Sequence, residues 1–101
     1  MTRSDIFRDI SLERANQDEI HPDTEKLPYG TGFDGFKLLL QERRESVAMA
    51  KASGHDSWAL HFREECYEVL AEADPAKLRA ELIQVAALCV RWVEHIDSQG
   101  A

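Results

Sequence analysis

Leu78, Leu82, Val85, Cys89, Trp92 and Ile96 follow one another at alternating steps of four and three. That spacing is the seam of a helix packed lengthwise on another helix. The end of the chain therefore predicts one long helix, restarting at Asp74-Pro75 and running to about Asp97. Asp74 reads as its N-cap and Pro75 as its first residue, where a missing N–H costs nothing. The helix before it is expected to start near Asp56 or Ser57, either of which can cap it, and to end near Ala73. Its apolar stripe is Trp58, Phe62, Cys66, Val69 and Ala73. A further helix, from about Asp34 to Ser53, carries Phe36, Leu39, Leu40, Val47 and Ala50, with Gly54 placed to end it. The first helix, from Asp5 or Ser11 to Glu19, has only sparse apolar residues in Ile6, Phe7 and Ile10. Between them, Ile20 to Phe33 holds Pro22, Pro28, Gly30 and Gly32 and reads as a loop, long for so small a domain.

No strand pattern, internal repeat or low-complexity tract interrupts this scheme. The expected fold class is all-α, a bundle of about four helices in one domain spanning 1–101, with residues 1–4 and 98–101 flexible. On the last helix Ile83, Ala86, Ala87, Leu88, Val90 and Val93 widen the apolar arc to roughly 200°, at about 100° per residue. A helix apolar over more than half its circumference needs cover on several sides. Three companions, two of them rather polar, supply too little, so self-association into a homodimer or homotetramer is expected to complete the core.

The chain of 101 residues carries a net charge of -7. That balance argues against nucleic acid as a partner, since phosphate backbones call for clustered Lys and Arg. It leaves room for a small phosphorylated ligand, because a bound cation reverses the local sign. No stretch approaches the roughly 20 apolar residues of a membrane span. The charged N-terminus, with Arg3, Asp5, Arg8, Asp9 and Glu13, lacks the apolar run of a signal peptide. A cytoplasmic location is expected, and Cys66 and Cys89 read as free thiols.

Against that acidic background one cluster stands out. Glu65 lies within about 60–70° of the centre of the apolar stripe on its helix, with His61, Glu68 and Glu72 along the adjoining flank and Glu64 toward water. On the following helix Glu81 falls inside the apolar arc and Gln84 at its edge. If the two helices pair antiparallel, as the short link between them suggests, the carboxylates and an amide oxygen converge. Like charges at helical spacing repel, and a carboxylate withdrawn from water costs more unless it is compensated. Oxygen-only ligands of this kind suit Mg²⁺, with Mn²⁺ as a substitute. The plainer reading is a solvated acidic face.

Glu64-Glu65-x-x-Glu68 followed by Glu81-x-x-Gln84 resembles the E-E-x-x-E and E-x-x-D signature of the MazG-like, all-α nucleotide pyrophosphohydrolases. The stretch from Leu78 to Ala87, continuing through Arg91-Trp92-Val93-Glu94, and the segment Glu13-Arg14-x-x-Gln17 are similar to the small phage and bacterial-type branch of that family. The resemblance implies Mg²⁺-dependent hydrolysis of a nucleoside triphosphate to the monophosphate and pyrophosphate. It assigns Glu65, Glu68 and Glu81 to the ion, with Gln84 where the family usually has aspartate. Glu64 would stand behind the ligands or orient the attacking water, and Gln17 would contact the base or the metal shell.

Other residues follow from chemistry alone. His61, one turn before Glu65, is a candidate for a phosphate or carboxylate contact. Lys37, with Arg43, Arg44 and Lys51, could meet a triphosphate. Tyr29 and Phe33 are candidates for stacking on a base, whereas Trp58 and Trp92 sit on seam positions and read as core. The alternative class is a non-catalytic relative acting in nucleotide sensing or protein interaction, which the neutral Gln84 favours.

Overall fold

A computed structural model describes residues 1–100 as four α-helices and one short 3₁₀ turn, with no strand among them. Helix α1 spans Arg3–Ile20, the turn Thr24–Lys26, α2 Asp34–Ala52, α3 Trp58–Ala71 and α4 Pro75–Gly100. The all-α expectation holds, and no helix is long and apolar enough to cross a membrane.

The chain gathers into two compact units. One comprises Gly30–Cys89, and so contains α2, α3 and the first part of α4. The other comprises Met1–Tyr29 with the end of α4 from Val90 onward.

In the first of these, α2 packs against α3, and local chemistry accounts for the hairpin. Ser53 closes α2, then Gly54 turns the chain at φ 76°. The His55 N–H donates to the Ala50 carbonyl at 2.7 Å and the Gly54 N–H to the Lys51 carbonyl at 3.3 Å. Those two bonds satisfy carbonyls that the helix end would leave open. Ser57 then starts α3, its hydroxyl accepting from the Leu60 N–H at 3.2 Å. Two successive residues of α2 meet two of α3: the Arg43 guanidinium lies 5.7 Å from the centre of the Tyr67 ring, and Arg44 pairs with Glu68 at 3.3 Å.

The restart at Asp74-Pro75 occurs as expected, with the Lys77 N–H donating to Asp74 Oδ2 at 3.0 Å. Glu72 bends back so that its Oε1 accepts from the Asp74 N–H at 3.1 Å. The loop before α2 is tied to the same corner. The Gly32 N–H donates to the Leu70 carbonyl at 2.8 Å, at φ 84°. A Cβ at position 32 would stand 2.5 Å from the Ala73 Cβ, so glycine is required twice over, for conformation and for space.

In the other unit α1 begins earlier than either start read from the sequence. Thr2 and Asp5 form a reciprocal capping box: the Asp5 N–H donates to Thr2 Oγ1, and the Thr2 N–H to Asp5 Oδ2. Arg3 also pairs with Glu94 of α4 at 3.3 Å. Ile6 and Val90 are buried here, as Val47 and Leu78 are in the larger unit. Of the seam expected along α4, Leu78 is buried and Val85, Cys89 and Trp92 are half-buried, while Leu82 and Ile96 remain exposed.

Candidate metal centre

Glu65 and Glu68 lie one turn apart on α3, and α4 brings Glu81 to them. One carboxylate oxygen from each of the three lies within 4.8 Å of the others. All three are half-buried. The angular placement of Glu65 and Glu81 beside apolar surface puts them there: each helix must turn its stripe inward, and these two side chains are carried with it.

The electrostatics are those of anions held together against their preference. Glu65 Oε2 and Glu81 Oε2 are buried and accept no hydrogen bond. Burial is the largest influence on the Glu65 carboxyl, followed by the charge of Glu68. With smaller effects from Glu81 and Glu64, they push its pKa up to about 7. Glu81 is also shifted upward, by burial first and then by contact with Glu68, and Glu72 adds to the effect. Contact between two carboxyl groups is favourable only while one carries a proton, which adds to the effect of burial on both values. Arg44 opposes the trend: its Nη2 donates to Glu68 Oε1 at 3.3 Å, and its charge favours ionised Glu81.

Crowded carboxylates with donor-free oxygens match the needs of a small hard cation. Such an ion takes oxygen ligands, keeps part of its water and accepts the rest of its shell from phosphate. The donor set therefore fits Mg²⁺ or Mn²⁺ better than a softer ion, which would seek histidine or thiolate. Among the described residues, these are the only three acidic, histidine or cysteine side chains grouped closely enough to share an ion.

The group joins Glu65, Glu68 and Glu81 alone of the candidates named from the sequence. Glu64 is half-buried on α3, and its charge contributes to the shift of Glu65. Gln84 lies one turn beyond Glu81 on α4 and is exposed. His61 Nε2 lies 2.7 Å from Asp56 Oδ2, and that bond is the main cause that lowers the Asp56 pKa. Lys37 is exposed on α2. Gln17 belongs to α1, where its Oε1 accepts from Arg14 at 3.3 Å.

Of the two residues placed to cap α3, Ser57 does the capping, and Asp56 supplies the carboxylate that His61 meets. One partnership escapes sequence reasoning. Arg44 is expected only among cations that could face a triphosphate, and its bond to Glu68 spans 24 positions. No periodicity within one helix reveals that bond; it depends on the register of α2 against α3. The chain matches no family model, no curated protein and no solved structure.

Proposed function

We propose that this protein is a Mg²⁺-dependent nucleoside triphosphate pyrophosphohydrolase of the MazG-like type, releasing the monophosphate and pyrophosphate. The observation that supports this most is the convergence of Glu65, Glu68 and Glu81 within 4.8 Å, with buried, donor-free oxygens on Glu65 and Glu81. These are the acidic positions that match the family's signature, and they come from the two helices that the signature spans.

In this reading Glu65, Glu68 and Glu81 hold the ion, and Gln84 offers an amide oxygen in place of the family's aspartate. When bound, the ion supplies neutralisation of phosphate charge and a lowered pKa for coordinated water. The protein's own task is placement. Glu64 orients the attacking water, α3 and α4 keep the ligands at fixed spacing, and the half-buried setting strengthens charge interactions with the phosphates. Lys37 and His61 are candidate contacts for the substrate.

Purified protein supplied with Mg²⁺ or Mn²⁺ and a panel of common and modified nucleoside triphosphates should release pyrophosphate from at least one. Glu68→Ala should reduce turnover by about 100-fold or more, since it removes a ligand to the ion. Absence of pyrophosphate from every nucleotide, together with no rise in thermal stability on adding metal, would reject the reading.

A second reading, a non-catalytic relative that senses nucleotide, is supported by Gln84 and by the partner Glu68 already has in Arg44. Gln84→Asp separates the two. Activity that appears only in the variant identifies a lapsed enzyme, whereas activity in the native protein that disappears in Glu68→Ala identifies a working one.

A further inference from the structure

Arg44 reaches across from α2 to Glu68 through one contact, Nη2 to Oε1 at 3.3 Å. The two ends of that pair have unlike surroundings. The Arg44 side chain is 56% exposed and that of Glu68 only 17%. A single contact from a long, exposed side chain is weak, because holding it costs rotamer freedom and water screens its charge. Glu68 nevertheless is the carboxylate that borders both others, its charge acting on Glu65 and on Glu81.

A divalent ion entering among Glu65, Glu68 and Glu81 draws on the same carboxylate that Arg44 holds. Its charge also opposes the guanidinium at close range. The two are antagonists at one carboxylate. A guanidinium released there stays on α2, whose neighbouring Arg43 lies over the Tyr67 ring of α3. Its planar fork of donors suits phosphate oxygens.

We propose that Arg44 is an exchangeable internal counter-ion: it occupies Glu68 until a divalent cation arrives, then yields that carboxylate and turns to the polyphosphate of the incoming nucleotide. This rests on the reading of the cluster as a metal centre. It makes Arg44 a residue whose removal has opposite effects on the two ligands, an outcome that a simple surface ion pair does not produce.

The test uses the full chain, native and Arg44→Gln, titrated calorimetrically with Mn²⁺ alone and then, at saturating Mn²⁺, with inorganic tripolyphosphate. The variant should bind Mn²⁺ about threefold more tightly, the competition from an exposed ion pair having been removed. It should bind tripolyphosphate about tenfold more weakly, having lost a charge-assisted donor. Arg44→Lys, which keeps the charge but not the fork, should restore the Mn²⁺ affinity and only part of the tripolyphosphate affinity. Equal affinities in native protein and Arg44→Gln would overturn the exchange while leaving the metal centre in place. Native protein that takes up no Mn²⁺ would overturn both.

Discussion

Glu65 sets the pH behaviour of the cluster. A free glutamate has a pKa of 4.5, and here burial and the neighbouring Glu68 charge raise it to about 7. Below pH 4.5 the group is protonated whether the chain is folded or not. Between 4.5 and 7 the folded chain keeps a proton that the unfolded chain has released, so this group makes stability fall as pH rises through that window. Above 7 the cost is fully present. Glu65→Gln should accordingly stabilise the metal-free protein at pH 8, by about 1 kcal/mol once solvent screening of a partly exposed group is allowed for. It should abolish any stabilisation by Mg²⁺. Since a cation needs the ionised form, its uptake must expel the proton. Calorimetric Mg²⁺ titrations at pH 6, repeated in buffers of different ionisation enthalpy, should show about one proton released per ion, falling toward none at pH 8. Heats that do not change with buffer at pH 6 would contradict this account of Glu65.

At the scale of elements, the link between loop, α3 and α4 is the part that holds Glu81 to Glu65 and Glu68. Gly32 fastens it, through its bond to the Leu70 carbonyl and its close approach to Ala73. Gly32→Ala adds a left-handed penalty to a steric clash, and should cost about 2–4 kcal/mol by denaturant titration. The metal binding proposed above should weaken with it, because the corner between the two helices that carry the carboxylates shifts. A loss below about 0.5 kcal/mol would show that the loop is not tied there. The glycines and prolines of this segment are visible in the sequence as a loop, but its docking on α3 is not, since one backbone hydrogen bond leaves no pattern. Helix ends were legible where side chains announce them, as at Gly54, Ser57 and Asp74-Pro75. The start of α1 was not, because Thr2-x-x-Asp5 closes its box with aspartate, a weaker cue than the usual glutamate. Of the acidic cluster, Glu65 and Glu81 are legible by angle alone, as charges placed beside apolar surface. Arg44 is not, because its place depends on how two helices slide against each other.

For the molecule as a whole, the question is what covers its apolar faces. Among the described residues, the fully buried apolar side chains are Val47 and Leu78 in one unit and Ile6 and Val90 in the other. Large apolar side chains stand exposed in both, among them Leu38, Met49, Leu82 and Ile83 in the larger unit and Phe7, Ile10, Leu12 and Ile96 in the other. Scattered exposed leucines are ordinary, but neighbouring ones along a helix indicate a surface made for contact. On α4, Val93 and Ile96 lie one turn apart, exposed at 38% and 57%. They continue an apolar arc wider than one packed partner needs. Self-association is the cover proposed for these faces, since a two-fold interface joins a surface to its own copy. The protein should therefore sediment as a dimer or tetramer whose melting temperature rises with concentration. Burying an apolar side chain of this size contributes about 1.5–3 kcal/mol, and a two-fold interface uses each position twice. Val93→Glu combined with Ile96→Glu should then weaken association by at least about a hundredfold. Both positions lie beyond Cys89, outside the unit that carries the carboxylates, so a change in assembly can be separated from direct damage to a ligand. If the dissociated variant still takes up Mn²⁺ as the native protein does, the centre is complete within one chain; if uptake disappears with the oligomer, a second copy finishes it. Native protein that remains monomeric up to high concentration would leave these faces without the partner argued for them, and would reject self-association.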